Sequence, residues 1–444
     1  MTACQGLSVY RAVVFLRQLE PRTGRTANEV ISFALWPIAV MTVLHRVVVK
    51  AVNGNITDDF RPVYNAALAF LNGRPVYTAN FDWVDPHYLY PPSGTLLMAP
   101  IAVIDPEKSR WLFIIANAVA ILFALYLLLR MFGLGLNSIA APILLLGTFS
   151  SETVTNTLVF TNINGLVLLG EIGFLILLMK RKDLWSGAAI GLTFAVKPIL
   201  APLLLLPLVQ GRWKVFVTAI GIPLILTAVA WPLSADPMDF VRHTMPYLME
   251  SRDYFNSAIV GNGKYYGLPT AMIYALRGAF AAIVLASLWL LYRYYRHDEL
   301  FFLVTTSGVL LTASWLLGSL GQMYYSMMLF PLLMSVVLKN SVMRNWPAWL
   351  AVYGFMSYDS WLSSRFMEAG RSAEYMKTTL GWSLILLVIF GVLAVRYITA
   401  RREGRLDQGI DPAFLLEPGE KQPDDPLAPE GPEQPGVEPT PAKT

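Results

Sequence analysis

Asp58 and Asp59 stand side by side in Asn53-Gly54-Asn55-Ile56-Thr57-Asp58-Asp59-Phe60, just after the first long apolar stretch of the chain. Ionisable groups next to a bilayer core are kept where water reaches them or where they are used. Two roles suit the pair. One is a solvated turn or helix N-cap, because Thr57 and Asp58 precede the amphipathic stretch 60–71. The other is a general base that takes a proton from an acceptor hydroxyl, with repulsion between adjacent carboxylates making one of them more basic. Residue types alone leave both open, and one carboxylate can cap while the other does chemistry.

Further polar groups recur along the chain, each with a bland and a sharp reading. Tyr88 and Tyr90, in His87-Tyr88-Leu89-Tyr90-Pro91-Pro92, suit an interfacial aromatic belt or, together with His87, a wall facing a sugar or lipid. Asn162 and Asn164, in Thr161-Asn162-Ile163-Asn164-Gly165, act either as glue between helices or as a polar cluster facing the bundle interior. Lys197 lies in an apolar stretch. Its ammonium must pair with an acid or an anionic ligand such as a lipid phosphate, or snorkel to an interface. The loop Arg252–Gly263 carries Arg252, Asn256 and Asn262. It is an ordinary loop with an Arg252–Asp253 contact, or, with Arg242 and Lys264, a phosphate-holding surface. Gln322, Tyr324 and Tyr325 mark a late polar turn.

Some chemistries have no residues to support them. Cys4 is the only cysteine, and His45, His243 and His297 lack ligand spacing, so neither a metal site nor a cofactor is expected. No Walker loop, dinucleotide fingerprint or Gly-x-Ser-x-Gly elbow occurs.

The elements that must position these residues are membrane helices. Of 444 residues, 55% are hydrophobic and only 14% charged, against about a quarter charged in soluble domains. Apolar runs of spanning length recur from Ile31 to Ala400, which predicts an all-α, polytopic transmembrane helix bundle. Candidate spans fall near 31–50, 110–131, 138–151, 158–179, 184–208, 215–233, 278–296, 301–319, 324–339, 346–358 and 379–400. Residues 60–77 read as a surface helix, and 95–104 are too short to cross. The charge and helix breaker of Lys197-Pro198, flanked by basic clusters at 180–182 and 212–214, predict a hairpin that starts and ends on the cytoplasmic side. The net charge of +4 is concentrated in such clusters, including Arg293, Arg296 and Arg401-Arg402. They mark cytoplasmic loops by the positive-inside rule and not a nucleic-acid surface. Counting from a cytoplasmic N-terminus, the loops that hold Asp58, Asp59, residues 87–92, 234–275 and 322–325 all fall on the outer face. The expected division is a cytoplasmic amphipathic segment at 1–27, a membrane domain at 28–400 and a Pro- and Glu-rich disordered cytoplasmic tail at 401–444. No internal repeat of the transporter kind is visible.

Asp59-Phe60-Arg61-Pro62-Val63-Tyr64-Asn65-Ala66-Ala67 followed by Tyr90-Pro91-Pro92 resembles the multi-spanning GT-C glycosyltransferases that use polyprenyl-phosphate sugars. Residues 53–64, Asp85-Pro86-His87-Tyr88-Leu89-Tyr90-Pro91-Pro92 and 252–263 are similar to the mycobacterial-type arabinofuranosyltransferases within that family, and the likeness covers about 28–415. The resemblance implies the GT-C fold in the plasma membrane, with its active site on the outer, periplasmic face. It implies inverting transfer of arabinofuranose from decaprenyl-phosphoryl-arabinose to an arabinan acceptor, making α(1→3) branches in arabinogalactan and lipoarabinomannan. Asp59 aligns with the family's acidic motif as the base, with Asp58 one residue away. Where family members often carry His near the outer end of a late span, this chain has Gln322-Met323-Tyr324-Tyr325. A mannosyltransferase using polyprenyl-phosphate mannose and, in another class, a lipid transporter are the alternatives.

Overall fold

The computed structural model describes residues 26–54, 59–82 and 86–411. Asp58, Asp85, Cys4, the amphipathic N-terminal segment up to residue 25 and the tail from residue 412 lie outside the described residues.

A capping box starts the first helix. The Thr26 hydroxyl accepts from the Glu29 backbone and the Glu29 carboxylate accepts from Thr26 N at 2.9 Å, so two of the free N–H groups at the helix start are satisfied. From there α1 (Ala27–Val52) runs the length of a bilayer, its last turns π-helical. A short helix, α2 (Phe60–Leu71), packs on the α3 that follows it (Pro92–Val103), and the long α4 (Pro106–Met131) comes next. Next come α5 (Ala140–Phe149), α6 (Glu152–Val159), α7 (Asn164–Met179), α8 (Asp183–Val196), α9 (Pro198–Val209) and α10 (Trp213–Leu233). After α11 (Met245–Met249) and α12 (Ile259–Tyr265) follow α13 (Thr270–Tyr295), α14 (Glu299–Leu317), the broken α15 (Met323–Val337), α16 (Trp346–Met356) and α17 (Met367–Arg402).

Among the described residues, six helices are long and apolar enough to cross a membrane: α1, α4, α10, α13, α14 and α17. No strand is present there, only an isolated bridge between Pro75 and Ala235. The chain is an all-α polytopic membrane protein. Helix α14 is buried along nearly its whole length and forms the core, with α7 and α8 packed face to face beside it. Helix α10 covers α8, α16 lies along α17, and α1 packs on α5. The outer helices leave large apolar side chains such as Phe33, Met41, Val217, Leu224 and Leu285 exposed, as a lipid-facing surface requires.

Several elements differ from the expected spans, three of them for a local reason. The stretch 324–339 is not one span but three short turns, because Pro331 follows Phe330 and removes a backbone donor. The run 138–151 ends at Phe149, and a separate helix, α6, starts at Glu152. Helix α17 begins at Met367, twelve residues before the apolar run, since its first turns are amphipathic.

Candidate active site

Asp59 occupies the N-cap position of α2, but its side chain makes no capping bond. Its carboxylate is turned elsewhere: Oδ2 accepts from Asn162 Nδ2 at 3.4 Å. Asn162 Oδ1 in turn accepts from Lys197 Nζ at 3.4 Å, and Asn164 Oδ1 accepts from the same ammonium at 3.1 Å. Asn162 thus presents its NH2 to the carboxylate and its carbonyl to the ammonium, the only orientation in which both charges are favourably met. The Lys197 ammonium also lies 5.1 Å from the ring centroid of Tyr324 and 4.9 Å from that of Tyr325, where the π faces attract a cation. Lys197 therefore does not snorkel; it points into the protein.

Local structure explains why these groups converge. Phe60, next to Asp59, is fully buried and packs 6.0 Å from both Tyr64 and Phe113. The Tyr64 hydroxyl donates to Ile104 O at 2.8 Å, which ties α2 to the end of α3. On the other side of the Asp59 segment, the buried Arg110 donates from Nη2 to Ala51 O at 2.7 Å and from Nη1 to Val52 O at 3.4 Å. Ala51 O also accepts from Gly54 N at 3.3 Å, so Arg110 reinforces the turn that ends α1 and leads toward Asp59.

Asn162 and Asn164 lie in the turn between α6 and α7. Thr161, a β-branched residue, holds φ +57° there, a conformation such residues adopt only when their surroundings compel it. A Cβ at Gly165 would meet Asn117 O at 2.6 Å, so glycine lets α7 approach α4. Because α7 opens at Asn164, the positive end of its dipole adds to the ammonium beside it. Lys197 ends α8 in an extended conformation, φ −147° and ψ 101°, as a residue before proline prefers. The Ser93 hydroxyl donates to Ala195 O at 2.7 Å and satisfies one terminal carbonyl of α8. The return segment α9 and the entry to α8 are joined by Arg212, which bonds Asp183 and Leu178 O.

Tyr90 and Arg252 complete the cluster. Burial first, then the Asp59 charge, pushes the Tyr90 phenol far above its usual pKa, so it remains protonated and able to donate. The Arg252 charge acts on Tyr324 and Tyr325. Its guanidinium donates to the Tyr247 hydroxyl at 2.8 Å and stacks 4.9 Å over the Tyr247 ring. Burial raises the Tyr247 phenol to about 12. His87 joins this wall, 5.7 Å from Tyr247 and 5.1 Å from Phe81, which itself stacks on Tyr247 at 4.1 Å. Three buried polar atoms of the region, Thr161 Oγ1, Asn164 Nδ2 and Arg252 Nε, lack a hydrogen-bond partner among the described residues. Such groups are what a polar ligand satisfies.

The other sequence candidates lie elsewhere. The buried Tyr88 hydroxyl bonds Thr95 at 2.8 Å and its ring packs on Tyr77 and Tyr90. Asn256 accepts from Ala258 N and Gly321 N and donates to Arg252 O and Ser319 O, pinning the Arg252 loop to the turn after α14. Asn262 bonds Tyr375 O and Thr379 and joins α12 to α17. Gln322 is half-buried at the start of α15. Sequence reasoning missed Tyr247, Thr161 and Arg110. Tyr247, five residues before Arg252, carried a weak signal; the others become visible only through the fold. Among the described residues no three His, Cys, Asp or Glu side chains converge.

The lysine- and arginine-rich turns collect at the opposite end of the bundle. Arg181 and Glu299 pair there at 3.2 Å, bringing the α7–α8 turn against the start of α14. A polytopic helical bundle with a carboxylate, an ammonium, two amides and a guanidinium gathered at one end has the architecture of a membrane-embedded transferase. The profile of glycosyltransferase family 87 matches residues 88–319. An alpha-(1->3)-arabinofuranosyltransferase of Mycolicibacterium smegmatis is 56% identical over 405 residues, covering 90% of this chain and 94% of the relative. One of Mycobacterium tuberculosis is 55% identical over 427 residues, 95% of this chain and 99% of the relative. One of Corynebacterium glutamicum is 43% identical over 356 residues, 80% and 85% respectively. No solved structure matches the chain. The chain belongs to glycosyltransferase family 87 and is a multi-pass membrane glycosyltransferase.

Proposed function

We propose that this enzyme is an arabinofuranosyltransferase that takes arabinofuranose from decaprenyl-phosphoryl-arabinose and forms α(1→3) branches on arabinan in arabinogalactan and lipoarabinomannan. The support is the likeness to arabinofuranosyltransferases over nearly the whole chain, and the observation that carries the chemistry is the Asp59–Asn162–Lys197 chain of contacts. In this reading an acceptor hydroxyl attacks the anomeric carbon, Asp59 takes its proton, and the glycosyl–phosphate bond breaks with inversion. The electron pair goes to the polyprenyl phosphate, already a good leaving group, so one base suffices, on the opposite-face logic of inverting glycoside cleavage.

Lys197 and Arg252 stabilise the charge on the departing phosphate, as preorganised cations in a water-poor site do most effectively. Tyr90, held protonated, donates to the substrate. His87, Tyr324 and Tyr325 wall the sugar, and Asn162 and Asn164 orient the two charged groups. Tyr88, Asn256, Asn262 and Gln322 support the walls behind these residues. Asp58 lies close in sequence and is the alternative base. The gathering of basic turns at the far end of the bundle supports, by the positive-inside rule, a site on the outer face of the plasma membrane.

Membranes containing the protein, supplied in parallel with labelled polyprenyl-phosphate arabinose and polyprenyl-phosphate mannose, distinguish the sugars. Label is expected in arabinan from the arabinose donor alone. Label entering acceptor lipid from the mannose donor alone would make the protein a mannosyltransferase.

A further inference from the structure

Two open grooves lie along one flank of the bundle and meet at Ser150. The first, about 510 Å³, follows α1 past Ile38, Met41 and Arg46. The second, about 630 Å³, follows α16 past Trp349, Tyr353 and Trp361. Ile38, Met41, Trp349, Tyr353 and Trp361 are all exposed, which suits a surface that faces lipid, with aromatic side chains near the interface.

Near the junction the lining turns polar, with Arg46, Ser151, Ser357 and Tyr358, and charges of both signs adjoin it. The Arg46 guanidinium lies 5.1 Å over the Tyr358 ring. Lys377 pairs with Asp359 at 2.7 Å and donates to Ser357 O. The charges of Asp359, Lys377 and Arg46 all act on the buried Glu152. Four buried polar atoms here have no hydrogen-bond partner among the described residues: Arg46 Nε, Glu152 Oε2, Ser357 Oγ and Tyr358 Oη. Native proteins seldom leave such atoms unsatisfied, and four in one place point to a ligand.

The set is chemically specific. Arg46, Ser357 and Tyr358 offer N–H and O–H groups to an anion, whereas the Glu152 oxygen accepts from a cation. A purely anionic head group would be held by Arg46 yet meet Glu152 and Asp359. A purely cationic one would meet Arg46 and Lys377. We infer that this is a binding site for a zwitterionic phospholipid of the phosphoethanolamine class, its phosphate on Arg46, Ser357 and Tyr358 and its ammonium on Glu152. The acyl chains lie in the two grooves between α1, α5 and α16. This site is separate from the reaction centre. Glu152 begins α6, Asn162 lies past the other end of that helix, about 12 Å long, and the Thr157 contact with Met327 lies between them. A bound lipid braces α6 and α16 from the membrane side.

The test is lipid retention, which is independent of sugar transfer. The full-length protein, purified in mild detergent, is equilibrated with micelles containing phosphatidylethanolamine, phosphatidylglycerol and decaprenyl phosphate in equal amounts, and bound lipid is counted by native mass spectrometry. One phosphatidylethanolamine is expected to be held at least about tenfold over either competitor, with Arg46→Leu and Glu152→Gln each erasing that preference. Val217→Ala, exposed on α10, should change nothing. Tyr358→Phe removes a single oxygen and is expected to weaken retention several-fold, so it provides the test should Arg46→Leu fail to fold. Equal retention of phosphatidylglycerol or decaprenyl phosphate, or retention unaffected by Glu152→Gln and Tyr358→Phe, overturns the assignment.

Discussion

Asn162 connects charges that would otherwise each need a separate partner. Its amide touches both Asp59 and Lys197, and both contacts are long enough to orient more than to bind. Asn162→Asp places a second carboxylate beside Asp59 and is expected to lower turnover by about 100-fold, the scale of a small misplacement in an active site. Asn162→Gln should recover part of that loss, which a steady-state comparison of kcat and KM would show. Lys197→Met should reduce kcat by about 100-fold or more with less effect on KM, as expected for a group that stabilises charge developing on the phosphate. Lys197→Arg should retain more activity. Tyr90→Phe should lower activity without altering the shape of the pH profile, since burial and the Asp59 charge keep this phenol protonated across the working range. At this scale the sequence was informative about identity and silent about pairing. An ammonium in an apolar stretch and two amides two residues apart marked Lys197, Asn162 and Asn164, but that one amide serves both charges depends on residues about 35 and 103 positions apart. Asn256 and Asn262 look the same in the sequence as Asn162 and Asn164; only packing shows that their hydrogen bonds are spent on neighbouring backbone.

Elements hold these side chains through a few points of fixed geometry. Thr161 at φ +57° turns the chain from α6 into α7. Thr161→Gly can adopt that angle freely and is expected to preserve folding. Thr161→Pro, fixed near φ −65°, should abolish transfer, and thermal unfolding in detergent would reveal its cost to stability. Arg110 has a comparable part at the end of α1. Arg110→Met removes a charged donor from two carbonyls at the end of α1, of which Ala51 O keeps its bond from Gly54 N, and should destabilise the protein by about 1–3 kcal/mol, seen as a lower unfolding temperature. The hairpin of α8 and α9 was legible from Lys197-Pro198 between basic clusters. The late start of apolarity in α17 hid its first turns, because Glu368, Arg371 and Lys377 break any hydropathy window. The break in α15 was hidden for the opposite reason: Met327 to Met334 is apolar throughout, and apolar content does not distinguish one helix from three short turns.

The whole molecule is polar at two ends for different reasons: one gathers the candidate site residues, the other the basic turns. This orientation can be read directly because Cys4 is the only cysteine. In a Cys4→Ser background, Asp253→Cys lies at the site end and Lys182→Cys in a basic turn, both at exposed positions. A membrane-impermeant maleimide added to intact cells should label the first and reach the second only after permeabilisation. The reverse pattern would put the site on the cytoplasmic side. The class of molecule was legible from composition and spacing of apolar runs, since a bilayer imposes both. Which loops share an end followed from counting spans, even though several spans are broken, because α5 with α6, and α15, each still carry the chain from one end of the bundle to the other.

The central claim is that Asp59 is the base. Purified Asp59→Asn, with Asp58→Asn beside it, should be tested for single-turnover transfer from labelled decaprenyl-phosphoryl-arabinose while donor binding is measured separately. Asp59→Asn is expected to bind donor normally and to lose transfer by at least about 100-fold, and Asp58→Asn to retain most of it. Full transfer by Asp59→Asn would contradict the account.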